Sequence, residues 1–105
     1  MWKIKVHSLV IKEDFKKINK KDQSFIVKTI YKKLSLSPDK FGSPLRYELK
    51  GFWKLKISEY RVIYKIEKQE VIVLVLKVGI RRDREVYRKM INRLNKIDRQ
   101  CFNSS

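Results

Sequence analysis

The sequence predicts a small single domain of the α+β class, and three observations lead there. Its first residues alternate apolar and polar, two stretches after them carry helical spacing, and the region from Leu45 onward returns to a period of two before a last helical stripe. The expected architecture is an N-terminal strand and helical hairpin, then a twisted antiparallel sheet of about four strands and a C-terminal helix, with the helices mainly on one sheet face. A chain of 105 residues has the length of one domain. That domain is expected at residues 1–97, with 98–105 as a polar tail.

The elements follow in order. Trp2, Ile4 and Val6 alternate with Lys3, Lys5 and His7, the pattern of a strand. Ser8 suits the N-cap of a helix that carries Leu9, Ile11, Phe15 and Ile18 at helical spacing. Asp22 suits the cap of a second helix, with Phe25, Ile26, Ile30 and Leu34 inward and Lys28, Lys32 and Lys33 outward. Ser37, Pro38, Gly42, Ser43 and Pro44 break the period and mark a loop. LRYELK, WKLKIS, YRVIYKIE and VIVLVLKV then read as strands joined by short hairpins. The last of these is apolar on both faces and is expected to be central. A final helix starts near Asp83, with Val86, Met90, Ile91, Leu94 and Ile97 on one stripe.

Charge narrows the function. The chain holds 27 Lys and Arg against 11 Asp and Glu, a formal net charge of +16, which asks for a polyanionic partner. Nucleic acid comes first, because phosphates neutralise clustered cations with release of counterions. An anionic membrane would ask for a basic amphipathic helix or an apolar anchor, and neither is evident: the apolar run from Val71 to Leu76 is far short of a span. The N-terminus alternates instead of carrying a signal-peptide core, so a cytoplasmic protein is expected. Cys101 is the single cysteine and His7 the single histidine, so neither an internal disulfide nor a site built from several histidines is available. Cys101 falls in the tail CFNSS and reads as a thiol on a frayed end.

The stretch FWKLKISEYRVIYKI holds the main puzzle. On strands, Lys54 and Lys56 share one face while Trp53, Leu55 and Ile57 share the other, and Arg61 arrives in the next strand. Each lysine alone reads as part of a solvated face. Together, like charges on neighbouring strands disfavour a sheet by a few tenths to about 1 kcal/mol per close pair, so a bound phosphate backbone is the natural compensation. Arg81, at the exit of the central strand, and Tyr87, in the first turns of the last helix, are placed to close the same concavity.

The segment from Leu45 to Leu94 resembles the RelE/ParE toxin superfamily, and within it the RelE-type messenger-RNA interferases. The resemblance rests on a Leu-x-Gly turn, a Lys-x-Lys strand, a Tyr-Arg strand start, and a Gly-x-Arg end followed six residues later by Tyr. It implies a RelE-like microbial RNase fold and carries the family's catalytic set onto Lys54, Lys56, Arg61, Arg81 and Tyr87. It also implies cleavage of messenger RNA in the ribosomal A site and silencing by a RelB-like antitoxin. The sequence departs from the family where Ile80 replaces a common cation, and where only Ser58 and Glu59 separate the two strands.

The chemistry can also be approached from the residue types. With one histidine and no evident carboxylate cluster, a two-metal site has no seat, and no metal or cofactor is expected. A metal-free route uses the RNA's own 2′-hydroxyl as nucleophile, and the protein deprotonates it, stabilises the phosphorane and protonates the leaving 5′-oxygen. Lys56 or Tyr87 is the candidate base, Arg81 or an adjacent cation stabilises the leaving group, and Lys54 with Arg61 balances charge on the phosphate. Clustered cations are expected to lower the lysine and tyrosine pKa values toward neutrality. Lys32, Lys33, Arg82, Arg84 and Arg88 extend the charge as RNA or ribosome contacts, and Met90, Ile91 and Leu94 are candidate antitoxin contacts, alongside their plain role as core. Two other readings stay open: a ParE-like toxin that acts on DNA gyrase without cutting, and a non-catalytic basic RNA- or ribosome-binding domain.

Overall fold

Alternation of apolar residues on both sides of one strand determines the architecture. The computed structural model of the chain describes residues 1–80 and 82–103; Arg81 lies outside the described residues, as do the side chains of Ile97 and Cys101. Five strands form one sheet: β1 (Lys3–Val6), β2 (Ser43–Pro44), β3 (Trp53–Ile57), β4 (Tyr60–Glu67) and β5 (Ile72–Ile80), in the order β1-β5-β4-β3-β2. Strands β2 to β5 pair antiparallel, while β1 runs parallel to β5 at one edge, so the sheet is mixed. LRYELK is not a strand: it forms a turn with a 3-10 helix at Tyr47–Leu49, and Tyr47 takes a φ of 58° that ladder pairing does not accommodate.

The sheet is covered on both faces, not mainly on one. The first cluster joins Val62 and Tyr64 of β4 and Val73 and Val75 of β5 to Ile26, Ile30 and Leu34 of helix α1 (Lys20–Leu34). The second joins Ile63 and Leu76, which point the other way, to Val86 and Met90 of helix α3 (Asp83–Asn103). A strand apolar on both faces needs cover on both, and α3 is the second cover. Leu76 is an extra residue in β5, inserted between the pairs Ile63–Lys77 and Tyr64–Val75, and such a bulge turns the strand end locally. Gly79 permits close approach of α3: a Cβ there would lie 2.6 Å from Val86 Cγ2.

The helical hairpin is less regular than its spacing suggests. After His7 Nδ1 accepts from the Leu9 amide, the chain makes a π-helical segment (Val10–Asp14) and a 3-10 turn (Phe15–Lys17). Asn19, not Asp22, caps α1: its side chain accepts from the Asp22 amide at 2.8 Å. Asp22 instead receives the Tyr60 hydroxyl at 2.6 Å, and this hydrogen bond, ahead of burial, pushes the phenol up to about 12. Ile11 and Phe25, expected inward, are exposed, since the π-helical turn changes the angular spacing and Phe25 falls beside the buried stripe. The expected loop contains a short helix, α2 (Pro38–Phe41), whose Pro38 carbonyl accepts from the buried Tyr64 hydroxyl at 2.5 Å. The backbone of α3 continues through Asn103 and includes most of the region expected as a tail.

One polar knot lies inside this packing. Asp14, 4% exposed, accepts from Lys77 Nζ at 2.8 Å, from the Val78 amide at 2.9 Å, and from Arg93 Nη1 and Nη2 at 2.9 and 2.8 Å. Arg93 Nη1 also donates to the Leu76 carbonyl at 2.9 Å, so α3, β5 and the π-helical segment meet at one carboxylate. Burial lowers the Lys77 pKa, with the Asp14 contact opposing the shift. Removing one partner strands the others. Asp14→Ala is therefore expected to cost about 3–5 kcal/mol in urea denaturation. A second expectation concerns Val71, an exposed β-branched residue held at φ 56°. Val71→Asn should recover about 1 kcal/mol of left-handed strain and raise Tm by roughly 4–8 °C.

Candidate active site

The register of the β3–β4 hairpin brings the predicted cations together. Ser58 takes φ 51°, Ile57 pairs with Tyr60, and so Lys56 lies directly opposite Arg61 while Lys54 lies opposite Ile63. Lys54, Lys56 and Arg61 thus share the sheet face that α3 covers, and α3 starts beside them. Tyr87 sits one turn into that helix, with Lys54 Nζ 5.8 Å from the centroid of its ring.

At the centre of this group is a residue that sequence reasoning treated only as a helix start. Asp83 Oδ1 accepts from Arg61 Nε at 2.7 Å, and Asp83 Oδ2 accepts from Lys54 Nζ at 2.8 Å and from the Tyr87 hydroxyl at 3.4 Å. Three of the five predicted site residues converge on one carboxylate. Arg61 is fixed further by donation to the carbonyls of Ser58 and Tyr60 at 3.3 and 3.1 Å. Lys56 is exposed, and among the described residues it joins no ion pair.

The electrostatics differ from expectation. Clustering was expected to lower the lysine pKa values, but hydrogen bonds from Lys54 to Asp83 and Tyr87 raise that of Lys54. Lys54, then Arg61, holds the Asp83 carboxyl below the ordinary range against the opposing effect of burial. Lys54 is therefore held in its protonated form, as a donor to Asp83.

The outlying cations do not form one surface. Lys32 and Lys33 end α1, the layer on the opposite sheet face, where Lys33 Nζ lies 5.7 Å from the Phe41 ring centroid. Arg84 and Arg88 line a shallow hollow of about 530 Å³ with Glu48, Tyr87 and Ile91. Arg82 faces a different cleft of about 510 Å³, where Lys17 and Lys89 alternate with Asp14, Glu59 and Glu85. Met90 is buried under α3, and Ile91 and Leu94 are half-buried at its margin. Among the described residues no three of His, Cys, Asp and Glu gather closely enough to hold a metal ion, and no helix is long and apolar enough to cross a membrane.

Residues 6–85 match the family described as the ParE toxin of type II toxin–antitoxin systems, parDE, which with the fold above places the chain in the RelE/ParE superfamily of type II toxins. Among individual relatives, it is 31% identical over 78 residues to Toxin RelG of Mycobacterium tuberculosis, spanning 74% of this chain and 87% of that one. The crystal structure of the toxin–antitoxin complex RelBE2 from the same organism superposes with a TM-score of 0.72 at 27% identity, over 78% of this chain and 93% of that one. The isolated E. coli RelE toxin superposes with a TM-score of 0.64 at 23% identity, over 90% and 99%, a likeness of fold.

The ion pairs around Asp83 carry a pH signature. A carboxyl depressed in the folded state contributes stability above its unfolded value, here 3.8, and loses it as pH falls through the folded value. Lys54, raised, contributes below 10.5 and loses that contribution as pH rises through its folded value. With Asp83 40% exposed, the pairs are worth about 1 kcal/mol or less. Wild type should thus melt a few degrees above Asp83→Asn throughout the neutral range, and the gap should close in acid below pH 3.8, as followed by circular dichroism.

Proposed function

We propose that the chain is a ribosome-dependent endoribonuclease that cuts messenger RNA in the A site and so inhibits translation. The observation that supports this reading best is the convergence of Lys54, Arg61 and Tyr87 on one pair of anionic oxygens beside the exposed Lys56. Donors so arranged suit a phosphodiester, whose non-bridging oxygens gain charge in the transition state.

In this reading the 2′-hydroxyl of the RNA attacks the adjacent phosphorus, the bond to the 5′-oxygen breaks, and a 2′,3′-cyclic phosphate forms. Lys54 and Arg61 balance charge on the phosphorane. Lys56 or Tyr87 takes the 2′-hydroxyl proton, and Arg81 or a neighbouring cation stabilises the leaving 5′-oxygen, which takes up a proton from an adjacent ammonium group or water to become the 5′-hydroxyl. No metal is needed for this route. Remaining cations, Arg84 and Arg88 nearest the site and Lys32, Lys33 and Arg82 farther off, strengthen association with ribosomal RNA through phosphate contacts. The work is done in the cytoplasm, where ribosomes are.

A RelB-like antitoxin is the proposed silencing partner, as the RelBE2 complex from M. tuberculosis suggests. An acidic segment that folds on binding would cover the margin of α3 at Ile91 and Leu94, and it would reach Met90 only by displacing the helix. The matching family description, a ParE toxin, favours one alternative: a toxin that acts on DNA gyrase and cuts nothing.

Primer extension on a defined messenger RNA, with and without ribosomes stalled at a known codon, separates these readings. A new 3′ end inside the A-site codon, seen only with ribosomes, is expected. Arg61→Ala should lower the cutting rate roughly 100- to 1,000-fold. A folded, ribosome-bound protein that leaves the message intact would overturn the nuclease reading.

A further inference from the structure

The carboxylate of Asp83 stands where the substrate phosphate of the proposed reaction belongs. It takes its hydrogen bonds from Arg61 Nε and Lys54 Nζ at 2.7 and 2.8 Å, one to each oxygen, with the Tyr87 hydroxyl at 3.4 Å. Two non-bridging phosphate oxygens would ask for the same donors. Resting on the proposed function, we propose that Asp83 is an internal ligand: it occupies the phosphate position in the free protein and must turn out to water before RNA can enter.

Several observations carry this. The side chain of Asp83 is 40% exposed, whereas those of Lys54 and Arg61 are 24% and 13% exposed, so the carboxylate is more accessible than the two cations it joins and can leave by rotation of its own side chain. Arg61 stays in place without it, held by the carbonyls of Ser58 and Tyr60. Asp83 begins α3, where backbone amides and the helix dipole favour negative charge, and an arriving phosphate would gain the same field. Contrast with Asp14 is informative. Asp14 is 4% exposed and accepts from four donors on two elements, β5 and α3, the environment of a structural carboxylate, while Asp83 is 40% exposed.

A site filled by its own anion binds substrate in proportion to the fraction of time it is open. Neutralising the occupant should therefore tighten RNA binding, the opposite of what loss of a substrate-binding or merely structural residue would do. If the groove is closed nine-tenths of the time, the gain is about tenfold.

The test uses a non-cleavable 2′-O-methyl RNA trinucleotide and the full chain, with folding checked by amide NMR spectra. Affinity is measured for wild type, Asp83→Asn, Arg61→Ala and Asp83→Asn with Arg61→Ala. About tenfold tighter binding by Asp83→Asn, abolished when Arg61→Ala is added, is expected. Equal or weaker binding by Asp83→Asn, with Arg61→Ala still weakening wild type, overturns the internal ligand and leaves the phosphate site standing. Binding indifferent to Arg61→Ala in every background defeats the phosphate site and the internal ligand together. Asp83→Ser, also neutral and tolerated in a first helical turn, is read the same way should Asp83→Asn fail to fold.

Discussion

Everything at the cationic site depends on where α3 lies, and α3 is tied down by one buried carboxylate. Asp14 joins Arg93 of the helix to Lys77 and the Val78 amide of β5, and Arg93 reaches on to the Leu76 carbonyl. The bulge at Leu76 and the missing side chain at Gly79 let the helix settle close against the strand end. These contacts bring Asp83 and Tyr87 over the hairpin that carries Lys54 and Arg61. Charge repulsion within the sheet is relieved from outside it, by the residue that begins the helix.

Much of this was legible in the sequence. Alternation placed β1, β3, β4 and β5, and the apolar run of β5 marked it as central, because period and apolar character report burial directly. Shared orientation of Lys54, Lys56 and Arg61 followed from the strand period once the hairpin was known to be tight. Other features had no local signal. LRYELK alternates like a strand but turns at Tyr47, since pairing partners and not alternation decide whether a stretch joins a ladder. Parallel pairing of β1 with β5 joins distant parts of the chain, which no short window can show. Cover on both faces could have been inferred from β5, yet the helical stripes did not say which face each would meet.

The two aspartates were hidden for different reasons. Asp14 sits among lysines in a stretch that reads as an ordinary amphipathic helix, and its inward direction comes from the π-helical turn. Asp83 is an acidic residue in a first helical turn, so common there that it draws no notice. Its spacing of four from Tyr87 was the available signal, because residues so spaced meet on one face of a helix. A functional reading built on cations alone therefore lacked the anion that holds them together. Including it shows Lys54 held as a donor to Asp83 with its pKa raised, not lowered by its cationic neighbours.

The edge pairing of β1 with β5 has a consequence for the order in which the chain is made. Synthesis releases the N-terminus first, but Lys3 to Val6 find their parallel neighbours only when Ile72 to Val75 have emerged. The second layer, with Asp83 and Tyr87, comes later still. A nascent chain therefore presents the β3–β4 cations before the residues that complete the groove. A chain built this way completes its cationic groove only after β5 and the first turns of α3 have emerged, well after the hairpin cations are made.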